Sequence, residues 1–181
     1  MSAMLRGNLV AIRPVTLADS RSLNEVLRDP RATKYLPSRV QHETGVQFVR
    51  RVLDEQRSGE GFSFAIVVTG SREVVGQVRL MDWSRAEKRA EIGVWLKREY
   101  WGKGCGTDAV RLACRFGFGS MRLHRILAKV VSGNDSSAAM LRKLGFRQEG
   151  TLRKEARVGR AWSDVWVYGL LRGELQWLET A

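Results

Sequence analysis

The chain has 181 residues, a length that suits one compact domain able to bury most of the apolar surface its unfolded form exposes. Apolar residues make up 44% and charged residues 28%, which excludes disordered and collagen-like classes, and no stretch approaches the ~20 apolar residues of a membrane span. The formal charge of +12, with 24 Arg among 31 basic residues, leaves three readings open: a nucleic-acid partner, a field for an anionic ligand, or Arg-rich solvated faces.

In chain order, residues 9–13 read as a first strand, followed by Thr16 as an N-cap with Asp19 three residues on, opening a helix to about Arg28. A second helix is expected from about Glu43 to Gln56, with Val46, Phe48, Val49 and Leu53 as its apolar stripe. The period then falls to two. Residues 62–68, a turn at 69–72 and residues 74–83 make an antiparallel hairpin, and residues 90–96 add a third strand. After a glycine cluster, Ala109, Val110, Leu112, Ala113 and Phe116 mark a helix, and residues 126–131 a strand. A short helix over 135–144 ends at Gly145, a left-handed C′ position from which Phe146 packs back. Strands over 147–157 and 163–171 close the chain as a hairpin. All three prolines (Pro14, Pro30 and Pro37) lie near the amino-terminal end and no linker or repeat divides the rest, so residues 1–181 are expected to form one domain of α/β (α+β) class: a mixed sheet of about seven strands with helices on both faces.

The glycine cluster carries the chemistry. Trp101-Gly102-Lys103-Gly104-Cys105-Gly106-Thr107 follows a strand and opens a helix, so free main-chain N–H groups and the positive helix end face one place, where an anion fits. Glycines let phosphates approach the backbone, and Lys103 adds a full charge. A Walker loop requires Ser or Thr after the lysine, and Gly104 stands there. A dinucleotide fingerprint puts its third glycine where Thr107 or Ala109 stands; alanine is sometimes allowed there, but the preceding strands form a meander rather than a βαβ unit, which weighs against that site.

Ala90-Glu91-Ile92-Gly93-Val94-Trp95-Leu96, then Gly102-Lys103-Gly104-Cys105-Gly106, and later Asn134-Asp135-Ser136-Ser137 with Lys143-Leu144-Gly145-Phe146 resemble GNAT N-acetyltransferases, and among them the RimJ/RimL type that acetylates ribosomal-protein N-termini. The resemblance covers nearly the whole chain, with its strong motifs between residues 90 and 170. The family loop is Gln/Arg-x-x-Gly-x-Gly/Ala; Gly104 and Gly106 match, and Trp101 takes the first position. The resemblance implies acetyl-CoA as cosubstrate, with its pyrophosphate wrapped by Gly102, Lys103, Gly104, Cys105, Gly106 and Thr107 and its pantetheine arm paired with the main chain of Val94, Trp95 and Leu96 like an added strand. It implies a bulge near Gly93 that splays the fourth strand from the fifth, and a main-chain N–H at Val94 or Trp95 polarising the thioester carbonyl.

Asn134 matches the family asparagine that contacts the cofactor arm, and it is also a good N-cap. Ser137 matches the branch serine, a candidate to contact CoA or protonate the leaving thiolate; the tyrosine many relatives use falls at Leu141, so the acid is Ser137, water or no protein group. Glu91 resembles the glutamate used as base in several relatives, and alternation sets it on one face with Gly93 and Trp95; a structural or substrate-orienting charge is the other reading. Glu155 is a second candidate base, one place before Ala156, where the branch's proposed base aligns.

Trp162, Trp166 and Tyr168 alternate on the last strand as core or as the wall of an acceptor pocket. Cys105 at a helix start admits a lowered pKa, but direct transfer requires no acyl-enzyme. Cys105 and Cys114, with His42 and His124 at unrelated spacings, form neither a disulfide pattern nor a zinc site, so no metal is expected. The N-terminus lacks the apolar core of a secretory signal, and the expected address is the cytoplasm. The expected activity is acetyl transfer to a primary amine, with a protein N-terminal α-amine first and polyamines, amino acids or antibiotics as alternatives. A non-catalytic module binding CoA or RNA is the reading from another class, and the charge admits a ribosome contact. Relatives are often homodimers.

Overall fold

Strand alternation divides the apolar residues of the sheet between two layers, each covered by its own helices. The computed structural model describes residues 4–176. Its strands are β1 (Leu5–Arg6), β2 (Val10–Pro14), β3 (Phe62–Val68), β4 (Val74–Ser84), β5 (Arg89–Leu96), β6 (Arg125–Val131), β7 (Arg147–Val158) and β8 (Ala161–Leu171), in the spatial order β1-β2-β3-β4-β5-β6-β8-β7. Its helices are α1 (Ser20–Leu27), α2 (Pro30–Thr33), α3 (Ser38–Gln41), α4 (Gly45–Ser58), α5 (Cys105–Gly119) and α6 (Asp135–Lys143). Only the β5–β6 pairing is parallel.

One layer joins Ile12, Phe64, Val78, Leu80, Ile92 and Ile126 to α5 and α6. Phe116 of α5 meets Phe64 and Phe62 edge-on at centroid distances of 5.0 and 5.1 Å, a geometry that aromatic quadrupoles favour. The other layer joins Ala65, Val67 and Val74 to Leu23 of α1 and Phe48, Val49 and Val52 of α4. Trp95 reaches into it, edge-on to Phe48 at 5.3 Å.

Among the described residues the sheet has eight strands where about seven were expected. β1 is two residues long, below the reach of any periodic signal, and folds back on β2 through a turn in which Gly7 N–H donates to Val10 C=O at 2.8 Å. Thr16 opens a single 3₁₀ turn, Leu17–Asp19, rather than α1 itself; its N–H donates to the Asp19 carboxylate at 2.7 Å, and Asp19 is buried against Arg13. α4 begins two residues later than expected, after the Thr44 cap, and its buried face is Gly45, Phe48, Val49 and Val52, spaced i, i+3, i+4 and i+7, which leaves Val46 off that face and exposed. α2 and α3 are four residues each, too short to be legible as periodicity; Pro30 at N1 and Asp29 accepting from Arg31 N–H start α2. α6 ends as expected, with Gly145 at φ +96° and Phe146 N–H donating to Leu141 C=O at 3.1 Å. Of the alternating aromatics, Tyr168 is fully buried and Trp166 packs on the core, whereas Trp162 is 59% exposed.

Gln77 is fully buried between Ala65 and Trp95 on the α1/α4 side, and neither its Oε1 nor its Nε2 has a hydrogen-bond partner among the described residues. An unsatisfied buried polar group costs about 1–3 kcal/mol. Gln77→Met, which keeps the volume and removes the amide, is therefore expected to stabilise the fold by about 1 kcal/mol, a rise of about 2–4 °C in Tm by calorimetry. An unchanged or lower Tm would show that the amide is satisfied in solution.

Candidate active site

The site begins where a ladder stops. β5 and β6 pair only at Arg89↔Arg125, Ala90↔Ile126 and Glu91↔Leu127, although β5 continues to Leu96 and β6 to Val131. Both continue because each is held on its other side, β5 by β4 through Leu96 and β6 by β8 through Val131. The strands part into a slot. The expected bulge at Gly93 is absent: β5 pairs regularly from Glu91 to Leu96, and the extra residue lies on β4, between Met81 and Ser84, where Asp82 has φ +52°. A bulge raises local twist, and here it does so next to the last paired residues.

The register also decides which main-chain groups face the slot. Lys97 N–H donates to Val75 C=O at 2.7 Å, so counting back by twos Trp95 and Gly93 bond to β4, while the N–H and C=O of Val94 point away from it. Leu96 shares that orientation, and its C=O accepts from the Trp101 indole at 3.0 Å.

At the end of the slot α5 begins. Gly104 is its N-cap at φ +82° and offers no side chain, and the first intrahelical bond runs from Asp108 N–H to Gly104 C=O, so the N–H groups of Cys105, Gly106 and Thr107 precede the helical ladder. Gly102, at φ +69°, has open space where a Cβ would be. A Cβ on Gly106 would stand 3.3 Å from Met140 Sδ and 3.4 Å from Leu96 Cδ1, so the starts of α5 and α6 and the end of β5 converge on this glycine. Lys103 is exposed beside the cradle, 5.8 Å from the Tyr100 ring centre. A diphosphate fits these residues: unused amides, a helix end, a cation and room where side chains are missing. The Cys105 thiol does not behave as a low-pKa nucleophile; burial pushes it up, and Asp108 adds to the rise.

Asn134 caps α6, its Oδ1 accepting from Ser137 N–H at 3.4 Å and Ser136 hydroxyl at 3.2 Å, which realises the capping role. Ser137 lies in the first turn of α6, on the α5 side of the sheet; Leu141, one turn on, is core. Glu91 lies on the opposite face with Trp95, and its carboxylate pairs with Lys129 of β6 at 3.0 Å across the base of the slot. The hydrogen bond to Glu91, then the charges of Glu91, Asp82 and Glu155, hold the Lys129 ammonium above the ordinary lysine value against its partial desolvation. Glu155 thus shares this wall with Glu91. No group of three or more His, Cys, Asp or Glu side chains clusters as a metal site among the described residues, and no helix there is long and apolar enough to cross a membrane.

The family model for the acetyltransferase (GNAT) domain matches residues 10–147. An uncharacterised N-acetyltransferase, p20 of Bacillus licheniformis, is 33% identical over 169 residues, covering 91% of this chain and 94% of that protein. Spermidine N(1)-acetyltransferase of Escherichia coli is 36% identical over 89 residues, 49% of this chain and 48% of that protein. Among solved structures, Mycobacterium smegmatis RimJ in complex with CoA-disulfide superposes with a TM-score of 0.82 at 28% identity, covering 92% of this chain and 83% of that one.

Two contributors to the site escaped sequence reasoning: Met140 enters it from α6, and Asp108 anchors the start of α5. The sequence places Trp101 at the head of the loop, but the bond of its indole to Leu96 is not legible there. The Asp108 carboxylate is 2% exposed and accepts from the N–H groups of Leu9 and Val10 at 2.8 and 3.1 Å and from Arg111. Gly7 is required beside it, because a Cβ there would overlap the carboxylate. A first-turn aspartate is visible in the sequence, but partners about a hundred residues away are not. Asp108→Ala strands two amides and a half-buried guanidinium, and is expected to lower stability by about 3 kcal/mol in denaturant unfolding. A loss below about 1 kcal/mol would mean that water replaces the carboxylate.

Proposed function

The chain belongs to the GNAT acetyltransferase family and is an N-acetyltransferase that uses acetyl-CoA, and from that premise we propose that its acceptor is a protein N-terminal α-amine, such as that of a ribosomal protein, acetylated by direct attack in a ternary complex. The observation that carries this reading is the slot that opens after Glu91 and Leu127 beside the free amides of α5, with a carboxylate on the face away from those amides. The likeness to the mycobacterial RimJ over nine-tenths of the chain supports the acceptor class.

In this proposal the diphosphate lies on the N–H groups from Gly102 to Thr107 with Lys103, and the pantetheine arm follows the free main-chain edge at Val94 and the N–H of Leu96. Val94 N–H stabilises the oxyanion as the amine nitrogen bonds to the thioester carbon and the C–S bond breaks. Glu91, directly or through water, takes the proton the nitrogen loses, and the departing thiolate takes one from Ser137 or water. An α-amine, with a reference pKa near ~8 against ~10.4 for a lysine side chain, supplies neutral nucleophile at pH 7 without a strong base. That suits a carboxylate already shared with Lys129.

A cationic small amine is the second reading. It is favoured by the carboxylates of Asp82, Glu91 and Glu155, whose charges act together on Lys129, and by the half-length likeness to the spermidine enzyme. Thiol release from acetyl-CoA with Ala- or Ser-initiated peptides and with spermidine separates the two; salt-dependent RNA binding without turnover would overturn both.

Two outcomes are expected. Gly106→Val fills the cradle against Met140 and Leu96 and abolishes acetyl-CoA binding in calorimetry, and the milder Lys103→Ala weakens it by about tenfold with the circular dichroism spectrum unchanged. Retained affinity in both variants would remove the diphosphate from this loop. Glu91→Gln lowers kcat/KM more at pH 6.5 than at pH 9, because a base matters most where the amine is protonated. Lys129 does not confuse the profile: with its pKa raised, its pairing is present below the ordinary lysine value and is lost only as pH climbs through the elevated one. A pH-independent loss would make Glu91 an orienting charge.

A further inference from the structure

The two strands that part after Glu91 and Leu127 are joined again at their far ends by a segment from elsewhere in the chain. On the β5 side, Lys97 Nζ pairs with Glu25 of α1 at 2.8 Å, and Arg98 Nε approaches the Asp29 carboxylate at 3.8 Å. On the β6 side, the Tyr35 hydroxyl donates to the Gly133 C=O at 2.9 Å, across 98 positions of sequence. Gly133 lies just past the end of β6, at φ +89°, and immediately precedes Asn134, the cap of α6. Residues 25–35 therefore run from the end of β5 to the end of β6.

We infer that residues 25–35 form a strap that sets the width of the open end of the slot, and that Tyr35 is a positioning residue for the amine acceptor. The inference rests on the reading that the slot receives acetyl-CoA. The strap's two attachments differ in kind. Glu25 and Arg98 are more than half exposed, so the pairs on the β5 side are weakened by salt and hold loosely, although Lys97 itself is largely buried and shared with Glu73. Tyr35 makes a neutral hydrogen bond from a half-buried ring to a main-chain oxygen, which salt does not screen. The β6 end is thus the pinned end. The strap belongs to the helical layer that covers the Glu91 face, whereas the start of α5 lies on the other, so a slack strap displaces the acceptor and leaves the diphosphate cradle intact. Among the described residues Tyr35 is the side chain of the strap that hydrogen-bonds the β6–α6 turn.

The test is Tyr35→Phe, which deletes one hydroxyl and keeps the ring. In hydrogen–deuterium exchange, amides of residues 28–36 are expected to exchange about tenfold faster than in the wild type, with α5 and α6 unchanged. With whichever probe the wild type acetylates, an Ala-initiated hexapeptide or spermidine, KM for the amine is expected to rise about tenfold while kcat and the calorimetric Kd for acetyl-CoA stay within about twofold. Unchanged exchange over residues 28–36 overturns the strap, whatever the kinetics. Faster exchange with an unchanged acceptor KM overturns the positioning role. A wild type that does not bind acetyl-CoA, or acetylates neither probe, instead defeats the proposed function, and the exchange comparison still decides the strap.

Discussion

Main-chain hydrogen bonding is an obligation, and the centre of this molecule is where the obligation is left open. Past Glu91 and Leu127, β5 and β6 no longer bond to each other, yet neither can move to another partner, because β4 and β8 hold their outer edges. The inner edges therefore stay unspent, at Val94 and at the N–H of Leu96 on one side. An extended ligand with its own amides can complete them, as an added strand completes a sheet. The two helical layers keep the opening from collapsing: Phe116 holds α5 on one face, and the Phe48–Trp95 contact holds α4 on the other.

Charge is distributed to match. The chain is strongly basic overall, and the amides and lysine at the start of α5 add to that field at the place where an anion fits. The wall around Glu91 is the exception, with Asp82, Glu91 and Glu155 near a single lysine. In the proposed arrangement an anionic cosubstrate and a protonatable amine would meet different local fields within one slot, which favours each in its own place.

The elements that repeat a period over six or more residues were legible in the sequence: β3, β4, β5, α5, β6 and the Gly145 stop of α6 fell close to their expected places. The glycine loop was legible because conformational need is written in the residue type. Short elements were not: β1, α2 and α3 are set by one or two local hydrogen bonds rather than by a repeating face. Val46 falls outside the buried face because the inward stripe of α4 runs i, i+3, i+4, i+7 through Gly45, Phe48, Val49 and Val52, and a residue one place after Gly45 is turned by about 100° from it. Glycine tolerates irregular backbone, so the sequence points to a bulge near Gly93, but Asp82 adopts the left-handed conformation on the neighbouring strand instead. Contacts such as Tyr35 to Gly133 and Asp108 to Leu9 join distant positions and leave no local trace.

The grip of Asp108 on the amides of Leu9 and Val10 ties two distant parts of the chain to one electrostatic outcome. A carboxylate in the opening turn of α5 would repel an incoming diphosphate if it were free to turn outward. Its negative charge is absorbed inward, by the entry to β2 and by Arg111, and so the helix end keeps its attraction for anions. The amino-terminal segment thus helps to set the field at the glycine loop: a chain trimmed back to Ile12 would carry every glycine of the loop, yet its Asp108 carboxylate would lose the amides of Leu9 and Val10 and keep Arg111 alone.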